Sequence, residues 1–237
     1  QRVVDRPEGD RGRRRGSIRV MAHPPTESRL HPLRVGRLTA SRVSAMLAKT
    51  KSGPSAQRAD LLWELACERL TGASAERDFT PTRAMQRGID MEVLAVAAFE
   101  AQTGSLVTDG GFMEREHYLA GVSPDGIIDG VELLEVKCPT TKVMVGWHQL
   151  PPDEVPKQHL NQLTHALWVS GFPAVTLFGW DDRLPDGLQT FTRRLHRDDV
   201  DLDQHEVAVH EFLAEVDAAL DHLHTLQKEQ THGQETE

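Results

Sequence analysis

Two short runs decide the fold of this chain: Ser123-Pro124-Asp125-Gly126 and Leu134-Glu135-Val136-Lys137-Cys138-Pro139. Asp129-Gly130 between them is typical of a β-hairpin turn, so the second run is predicted to be a strand. Side chains alternate between the two faces of a strand. Glu135 and Lys137 therefore project from one face, while their apolar neighbours project from the other and can be buried. A strand of this kind suits a divalent metal held beside a group that positions water.

The register of the hairpin decides whether Asp125 joins the acid–base pair. With a two-residue turn at Asp129-Gly130 in ideal register, Asp125 would lie opposite Leu134 and on the wrong face. Pro124 and Gly126 flank Asp125, and both residue types are typical of bulges and strand ends. We therefore predict a break in the ladder at or near Asp125. A turn longer than two residues would serve equally well.

The pattern of one Asp followed by Glu-x-Lys resembles the core of the PD-(D/E)xK nucleases. More narrowly, the chain resembles the lambda exonuclease and YqaJ-type viral recombinase family. The matching stretches run in the family's order between roughly residues 33 and 227, and they are 37–43, 88–92 with 99–100, 120–126, 134–139 and 162–169. Any one of them occurs by chance in many chains, but five in the same order form a strong signal.

The resemblance implies an α/β (α+β) fold with a restriction-endonuclease-like core, in which a mixed β-sheet is flanked by helices. It implies a Mg²⁺-dependent exodeoxyribonuclease that degrades one strand of linear double-stranded DNA from the 5′ end. The product would be a 3′ overhang for phage-type recombination. A ring-shaped homotrimer around DNA and a single-strand annealing protein as partner are implied in the same way. Two alternatives stay open: an endonuclease or junction-cutting nuclease of this fold, and a DNA-end-binding module with a silent site.

The hairpin supplies the central residues of the expected active site. Asp125 and Glu135 are predicted ligands of Mg²⁺ or Mn²⁺, because hard divalent ions prefer carboxylate oxygens. The resemblance adds the backbone carbonyl of Val136 as a third ligand. Lys137 is expected to orient or help deprotonate the attacking water and to stabilise negative charge in the transition state. The alternatives are an ordinary Pro-Asp-Gly turn and a Glu135–Lys137 salt bridge.

Two helical residues join this site through the resemblance. Glu92 lies on a helix predicted over 83–102, and the family's Glu at this position contacts the metal through water or binds a second ion. Gln162 lies on a helix predicted over 152–170, and in the family it reaches the nucleophile or the metal shell. The alternative for each residue is a polar side chain on a solvated helix face.

A third group matches positions that bind the 5′-terminal phosphate in the family. Arg34 carries a guanidinium, which pairs with phosphate oxygens. Ser41 lies near a predicted helix start, where free N–H groups favour anions. Arg37 and Arg42 are weaker candidates for contact with phosphate or DNA. The alternative is a helix cap with surface arginines.

The length and the charge distribution of the chain are compatible with a single nuclease domain that binds DNA. The 237 residues suit one substantial domain, which we place at 29–228, between a basic and disordered segment 1–28 and a polar tail 229–237. Met21 is a candidate natural start. The first 60 residues hold 14 Lys and Arg against 5 Asp and Glu, and the rest hold 13 against 31, so the net charge of −9 hides a basic first part. Such a distribution suits phosphate contact by the first segment and metal binding by the body.

Several other classes of function are disfavoured. No apolar run approaches the length of a membrane span, and no secretory signal is visible. Cys67 and Cys138 are too few for a disulfide framework or an iron–sulfur cluster, so we expect the reducing cytoplasm of a bacterial host. His205-Glu206 with His210 has the wrong spacing for a zinc helix. A Gly-rich, Lys-containing phosphate loop is missing, which argues against the use of ATP.

Overall fold

The computed structural model describes residues 18–21, 32–51, 53–74, 82–115 and 117–234. The helices among them are α1 (Val43–Met46), α2 (Ala56–Thr71), α3 (Arg83–Thr103), α4 (Thr141–Trp147), α5 (Lys157–Ser170) and α6 (Leu202–Gln234). The strands are β1 (Ile18–Met21), β2 (Leu38–Thr39), β3 (Lys49–Thr50), β4 (Gly53–Pro54), β5 (Val107–Thr108), β6 (Phe112–Arg115), β7 (Ala120–Val122), β8 (Gly126–Ile128), β9 (Glu132–Lys137), β10 (Ala174–Trp180) and β11 (Thr190–His196). Short 3₁₀ turns lie at Pro32–Arg34, Ala40–Arg42 and Arg197–Asp199.

The predicted mixed sheet flanked by helices is confirmed. The larger sheet has the order β11-β10-β9-β8-β5, and β9 and β10 are parallel while its other pairs are antiparallel. A second sheet has the order β1-β6-β7-β2, and β2 and β7 are parallel. The two parallel pairs bring distant parts of the chain together: β9 lies beside β10, and the segment after β2 lies beside the end of β7.

The hairpin between β8 and β9 has a three-residue loop. Asp129 and Gly130 both adopt positive φ, at 47° and 75°, and the N–H of Val131 donates to the carbonyl of Ile128 at 2.9 Å. Val131 is therefore an additional residue after a two-residue turn. Its insertion pairs Ile128 with Glu132. The longer turn that the sequence analysis left open is the one that forms.

The ladder breaks at Asp125, as predicted. Strand β8 begins only at Gly126, which pairs with Leu134. The N–H of Asp125 also donates to the carbonyl of Leu134, at 3.1 Å, so two consecutive residues face one. Gly126 has no room for a side chain, because a Cβ there would lie 2.3 Å from Cγ1 of Val107 on β5.

The two faces of β9 meet different helices. Leu134 and Val136 pack with Ala95 and Phe99 of α3. Phe99 also meets Phe178 of β10 edge to face, with ring centroids 5.2 Å apart. The opposite face of β9 carries Leu133 in the main core cluster, to which α4, α5 and α6 contribute. Alternation along β9 therefore directs its acid–base pair toward the α5 side of the sheet.

Helix α3 has capped ends that fix its position on the sheet. The Thr82 side chain accepts a hydrogen bond from the N–H of Met85 at 3.3 Å. Gly104 ends the helix in the left-handed region, with φ 71°, and its N–H bonds to the carbonyl of Glu100. The prediction of this helix over 83–102 is one residue short at its end.

Glu206 forms several of the hydrogen bonds between helix α6 and the rest of the domain. Its carboxylate accepts hydrogen bonds from Tyr118 Oη, Trp168 Nε1 and Arg115 at 2.8, 2.8 and 3.1 Å. These partners lower the pKa of Glu206, although burial opposes them. Trp168 is buried, so it belongs to the core rather than to a base-stacking surface.

Several predicted boundaries are wrong. Ile18–Met21 form a strand that pairs with β6, so the prediction of disorder for 1–28 fails for these four residues; most of that segment lies outside the described residues. Helix α5 begins at Lys157 instead of 152. Helix α6 continues to Gln234, through most of the segment taken as a polar tail. Helix α4 was not predicted.

No helix within the described residues is both long enough and apolar enough to span a membrane.

Candidate active site

The side chain of Asp125 turns toward β9. One of its carboxylate oxygens accepts a hydrogen bond from the backbone N–H of Val136 at 2.6 Å. The carboxylate thus takes the place of the ladder partner that is lost where the strand breaks. This bond fixes Asp125 beside the segment that carries Glu135 and Lys137.

Glu135 is the centre of the cluster. It is 3% exposed, and its Oε1 accepts hydrogen bonds from both Lys137 Nζ and Gln162 Nε2. Lys137 reaches it from the same face of β9, two residues along the strand. Gln162 reaches it from α5. The structure therefore brings together four of the residues that the sequence analysis placed in the site: Asp125, Glu135, Lys137 and Gln162.

The charges of this cluster act on one another. Burial raises the pKa of the Asp125 carboxyl well above its ordinary value, and the negative charge of Glu135 raises it further. Burial lowers the pKa of Lys137, but the negative charges of Glu135 and Asp125 outweigh burial and hold it above its ordinary value. Two neighbouring carboxylates with only one ammonium leave an excess of negative charge in a place shielded from water.

This donor set fits a hard divalent cation. Carboxylate oxygens are the preferred ligands of Mg²⁺ and Mn²⁺, and a cation would relieve the repulsion that raises the pKa of Asp125. Among the residues described, no three His, Cys, Asp or Glu side chains form a metal-binding group. Asp125 and Glu135 would therefore need the carbonyl of Val136 and water to complete the coordination shell.

Glu92 lies at the edge of the cluster. It is partly buried on α3, and its negative charge raises the pKa of both Asp125 and Lys137. Helix α3 packs on the opposite face of the sheet from α5, so Glu92 approaches from the other side than Gln162 does. Its position suits contact with a bound ion through water and does not complete a three-carboxylate group.

A second cluster forms around Arg34. Its guanidinium donates to Ser123 Oγ at 3.4 Å, to Thr39 Oγ1 at 3.5 Å and to Ser41 Oγ at 3.4 Å. The parallel pairing of β2 with β7 sets Thr39 opposite Gly121 and so brings Ser41 and Ser123 to the same end of the second sheet. Ser123 lies two residues before Asp125, so this hydroxyl-rich cluster is connected directly to the first.

Arg37 and Arg42 have internal partners instead. Arg37 pairs with the buried Glu114 at 2.9 Å. Arg42 forms a bidentate ion pair with Glu68, with N–O distances of 3.0 and 3.1 Å. Glu68 also accepts a hydrogen bond from the backbone N–H of Gly36 at 2.8 Å. This geometry favours a structural role for both arginines, and their contact with DNA remains a prediction.

Thr39 and Ser123 were not singled out by the sequence analysis, although both lie inside runs that it quoted. Thr39 lies five residues after Arg34 and so offered a local signal, whereas Ser123 is 89 residues away and only the fold brings its hydroxyl to Arg34. Ser41 lies within the 3₁₀ turn Ala40–Arg42, and this turn has no side-chain cap. The alternative reading, in which Thr39 or Ser41 caps a helix here, is therefore wrong, and the Ser41 hydroxyl is directed to the cluster around Arg34.

Comparisons with known proteins show the family and the fold that this chain resembles. The domain family described as YqaJ-like viral recombinase matches residues 30–173. No curated protein matches the sequence. Two crystal structures of the alkaline exonuclease LHK-Exo from Laribacter hongkongensis resemble the chain. The one in complex with dAMP has 31% sequence identity and a TM-score of 0.76, and the match covers 86% of this chain and 99% of that one.

The second of these structures has 32% identity and a TM-score of 0.73, and it covers 83% of this chain and 95% of that one. A phage-related exonuclease from Haemophilus somnus 129PT has 12% identity and a TM-score of 0.58, with coverage of 81% and 96%. At that identity the likeness extends to the fold alone.

Proposed function

Since this chain belongs to the YqaJ-like viral recombinase domain family, we propose that it is a DNA exonuclease with its active site at Asp125, Glu135, Lys137 and Gln162. The observation that carries the proposal is the convergence of Lys137 and Gln162 on one oxygen of Glu135, next to an Asp125 carboxylate held by β9. An ordinary salt bridge needs neither a partly buried second carboxylate nor the amide.

Each residue of this cluster has a role in hydrolysis of a phosphodiester. Asp125, Glu135 and the carbonyl of Val136 would hold Mg²⁺ or Mn²⁺, which lowers the pKa of a bound water and stabilises the leaving oxygen. Lys137 orients the attacking water and offsets the negative charge that develops on the phosphate. Gln162 fixes the Glu135 carboxylate and leaves an amide oxygen to accept a hydrogen bond from that water. Glu92 would contact the ion through water.

The cluster around Arg34 gives the enzyme its direction. We assign the 5′-terminal phosphate of the DNA to Arg34, Thr39, Ser41 and Ser123, because a guanidinium and three hydroxyls offer donors to phosphate oxygens. Ser123 precedes Asp125 by two residues, so a phosphate bound there places the 5′-terminal nucleotide next to the cation ligands. Hydrolysis then proceeds from 5′ to 3′ and leaves a 3′ overhang.

The assembly and the partner are proposed on the basis of family membership. We propose a ring of three copies around double-stranded DNA, which would remain on its substrate because a closed ring cannot dissociate sideways. The overhang would pass to a single-strand annealing protein during phage recombination in a bacterial cytoplasm. Gel filtration in the presence of DNA at the mass of the 26.4 kDa monomer would contradict the ring.

The test is degradation of end-labelled linear duplex with Mg²⁺, with 5′-phosphate and 5′-hydroxyl ends compared. We expect mononucleotide release from the 5′-phosphorylated strand, faster than from the 5′-hydroxyl strand, and none with EDTA. Closed circular duplex should remain intact; its cleavage would favour an endonuclease. Binding without any product would favour a silent end-binding module. Protein carrying Asp125→Asn, purified identically, controls for contaminating nucleases.

A further inference from the structure

We infer that His159 is a substrate-contacting residue, which donates an imidazole N–H to the phosphate of the nucleotide at the reacting end. The inference deepens the proposed function and rests on it. Sequence patterns did not single out His159, and its role follows from its place on α5 beside the Lys137 side chain.

The position of His159 is set by how α5 runs along β9. Gln162 of α5 bonds to Glu135 of β9. His159 precedes Gln162 by three residues, so it lies on the same helix face about 4.5 Å along the axis. Lys137 follows Glu135 by two residues, on the same strand face and about 6.6 Å along. Burial and then the positive charge of Lys137 lower the pKa of His159 to about 4, in agreement with this pairing.

Trp147 of α4 holds the imidazole ring in place. The rings of His159 and Trp147 meet edge to face, with centroids 5.3 Å apart and planes at 88°. The Trp147 indole covers Gly179, where a Cβ would lie 2.8 Å from the ring, and Gly179 is the register partner of Lys137. Three elements thus place a fixed imidazole at the carboxyl end of β9, next to the ammonium group.

The ring nitrogens of His159 are available to a ligand. Within the part of the chain that the structure describes, neither nitrogen has a hydrogen-bond partner. The residue is only half-buried, so a ligand can reach the ring. At neutral pH the imidazole is uncharged and offers one N–H donor and one acceptor. A role in packing against Trp147 would need only a flat ring, whereas contact with phosphate needs the nitrogen, and this difference can be tested.

The experiment compares His159→Phe, which keeps a ring against Trp147, with His159→Gln, which supplies an amide N–H. The measurements are kcat/KM on 5′-phosphorylated linear duplex, the inhibition constant of dAMP as a product, and the unfolding temperature. His159→Phe should lower kcat/KM about tenfold or more and weaken dAMP inhibition similarly, the loss of one hydrogen bond to a charged group. His159→Gln should recover part of both. The control His148→Phe, at a ring that packs against Phe191 and bonds to the carbonyl of Leu188, should match the wild type in kcat/KM and in dAMP inhibition, whatever its unfolding temperature.

Wild-type kcat/KM and wild-type dAMP inhibition in His159→Phe would overturn the inference. Equal losses in both variants, with an equal fall in unfolding temperature, would overturn it too, because that pattern belongs to packing alone. If the wild-type protein releases no nucleotide from linear duplex, the proposed function fails first and the inference falls with it. That result is distinct because it involves no substitution at His159.

Discussion

The carboxylate of Asp125 accepts a hydrogen bond from the backbone N–H of Val136 at 2.6 Å. This one bond ties an acid from one arm of the hairpin to the strand that presents Glu135 and Lys137 from the other arm. The carbonyl of Val136 lies on the same strand, between Glu135 and Lys137. The orientation of the proposed metal ligands is therefore set by backbone geometry and does not depend on flexible side chains alone.

Asp125→Asn separates the charge of this residue from its geometry. The amide oxygen can still accept from Val136, so we expect a folded protein. Its unfolding temperature should not fall, because a partly buried charge that repels Glu135 is removed. Nuclease activity should fall by roughly 10²-fold or more, since cation binding needs the carboxylate. Asp129→Asn is the matched control in the same hairpin: Asn tolerates its positive φ and can accept from the N–H of Leu106. Full activity in Asp125→Asn would contradict the assignment.

Lys137→Met tests whether the ammonium acts in catalysis. Met keeps the apolar stem and removes the charge that faces Glu135. We expect turnover to fall by roughly 10² to 10⁴-fold, while binding of linear duplex, measured by fluorescence anisotropy with Ca²⁺ in place of Mg²⁺, stays unchanged. Lys142→Met changes an exposed lysine on the neighbouring α4 and should have no effect on either. A Lys137→Met protein that cleaves at the wild-type rate would remove Lys137 from the mechanism.

The sequence predicted the strands of the site more accurately than their register. Apolar side chains in strand-length runs between turn residues predict strands over 132–137 and 174–180, and β9 and β10 form with these bounds. The turn length could not be predicted, because Asp129-Gly130 adopts the conformations of a two-residue turn and only the extra Val131 shifts the pairing. Which residue leaves the ladder depends on packing of the whole hairpin.

Other elements escaped prediction for equally specific reasons. Helix α4 has seven residues, and the exposed Val143 and Val145 obscure the periodicity of its buried Met144 and Trp147. The polar end of α6 is rich in Gln, Lys and Glu, which favour helices. The ion pair between Arg42 and Glu68 joins residues 26 positions apart, and no local pattern distinguishes such an arginine from one that binds phosphate.

Arg34→Ala should remove the preference for a 5′-phosphate. A charge-assisted hydrogen bond is worth about 1.5–3 kcal/mol, so we expect wild-type protein to degrade 5′-phosphorylated duplex roughly ten- to a hundredfold faster than 5′-hydroxyl duplex. The variant should degrade both at the slower rate. Arg37→Ala is the matched control, because Arg37 faces Glu114: it should unfold at a lower temperature and keep the preference. If both variants keep the preference for 5′-phosphorylated duplex, the phosphate binds elsewhere.

The buried pair of His165 and His205 should make the domain sensitive to acid. Their rings are joined by a hydrogen bond of 3.0 Å, and burial lowers the pKa of His205 to about 4 and that of His165 well below its ordinary value. In the unfolded chain both groups titrate near 6.5, so between pH 6.5 and 4 the unfolded state binds more protons than the folded state. Stability is therefore lost as the pH falls through this window, by about 3 kcal/mol for His205 alone if its pKa is about 4.

Urea unfolding at pH 7.5 and at pH 5 measures part of this loss, about 2 kcal/mol for His205, because pH 5 lies inside the window. His205→Gln removes one of the two titrating groups, and its stability should depend less on pH than that of the wild type, whatever its absolute value. His222→Gln, at an exposed histidine on the same helix, should leave the pH dependence as it is. If the free energy of unfolding changes equally with pH in all three proteins, His205 does not cause the loss of stability in acid. The loss would then come from other groups.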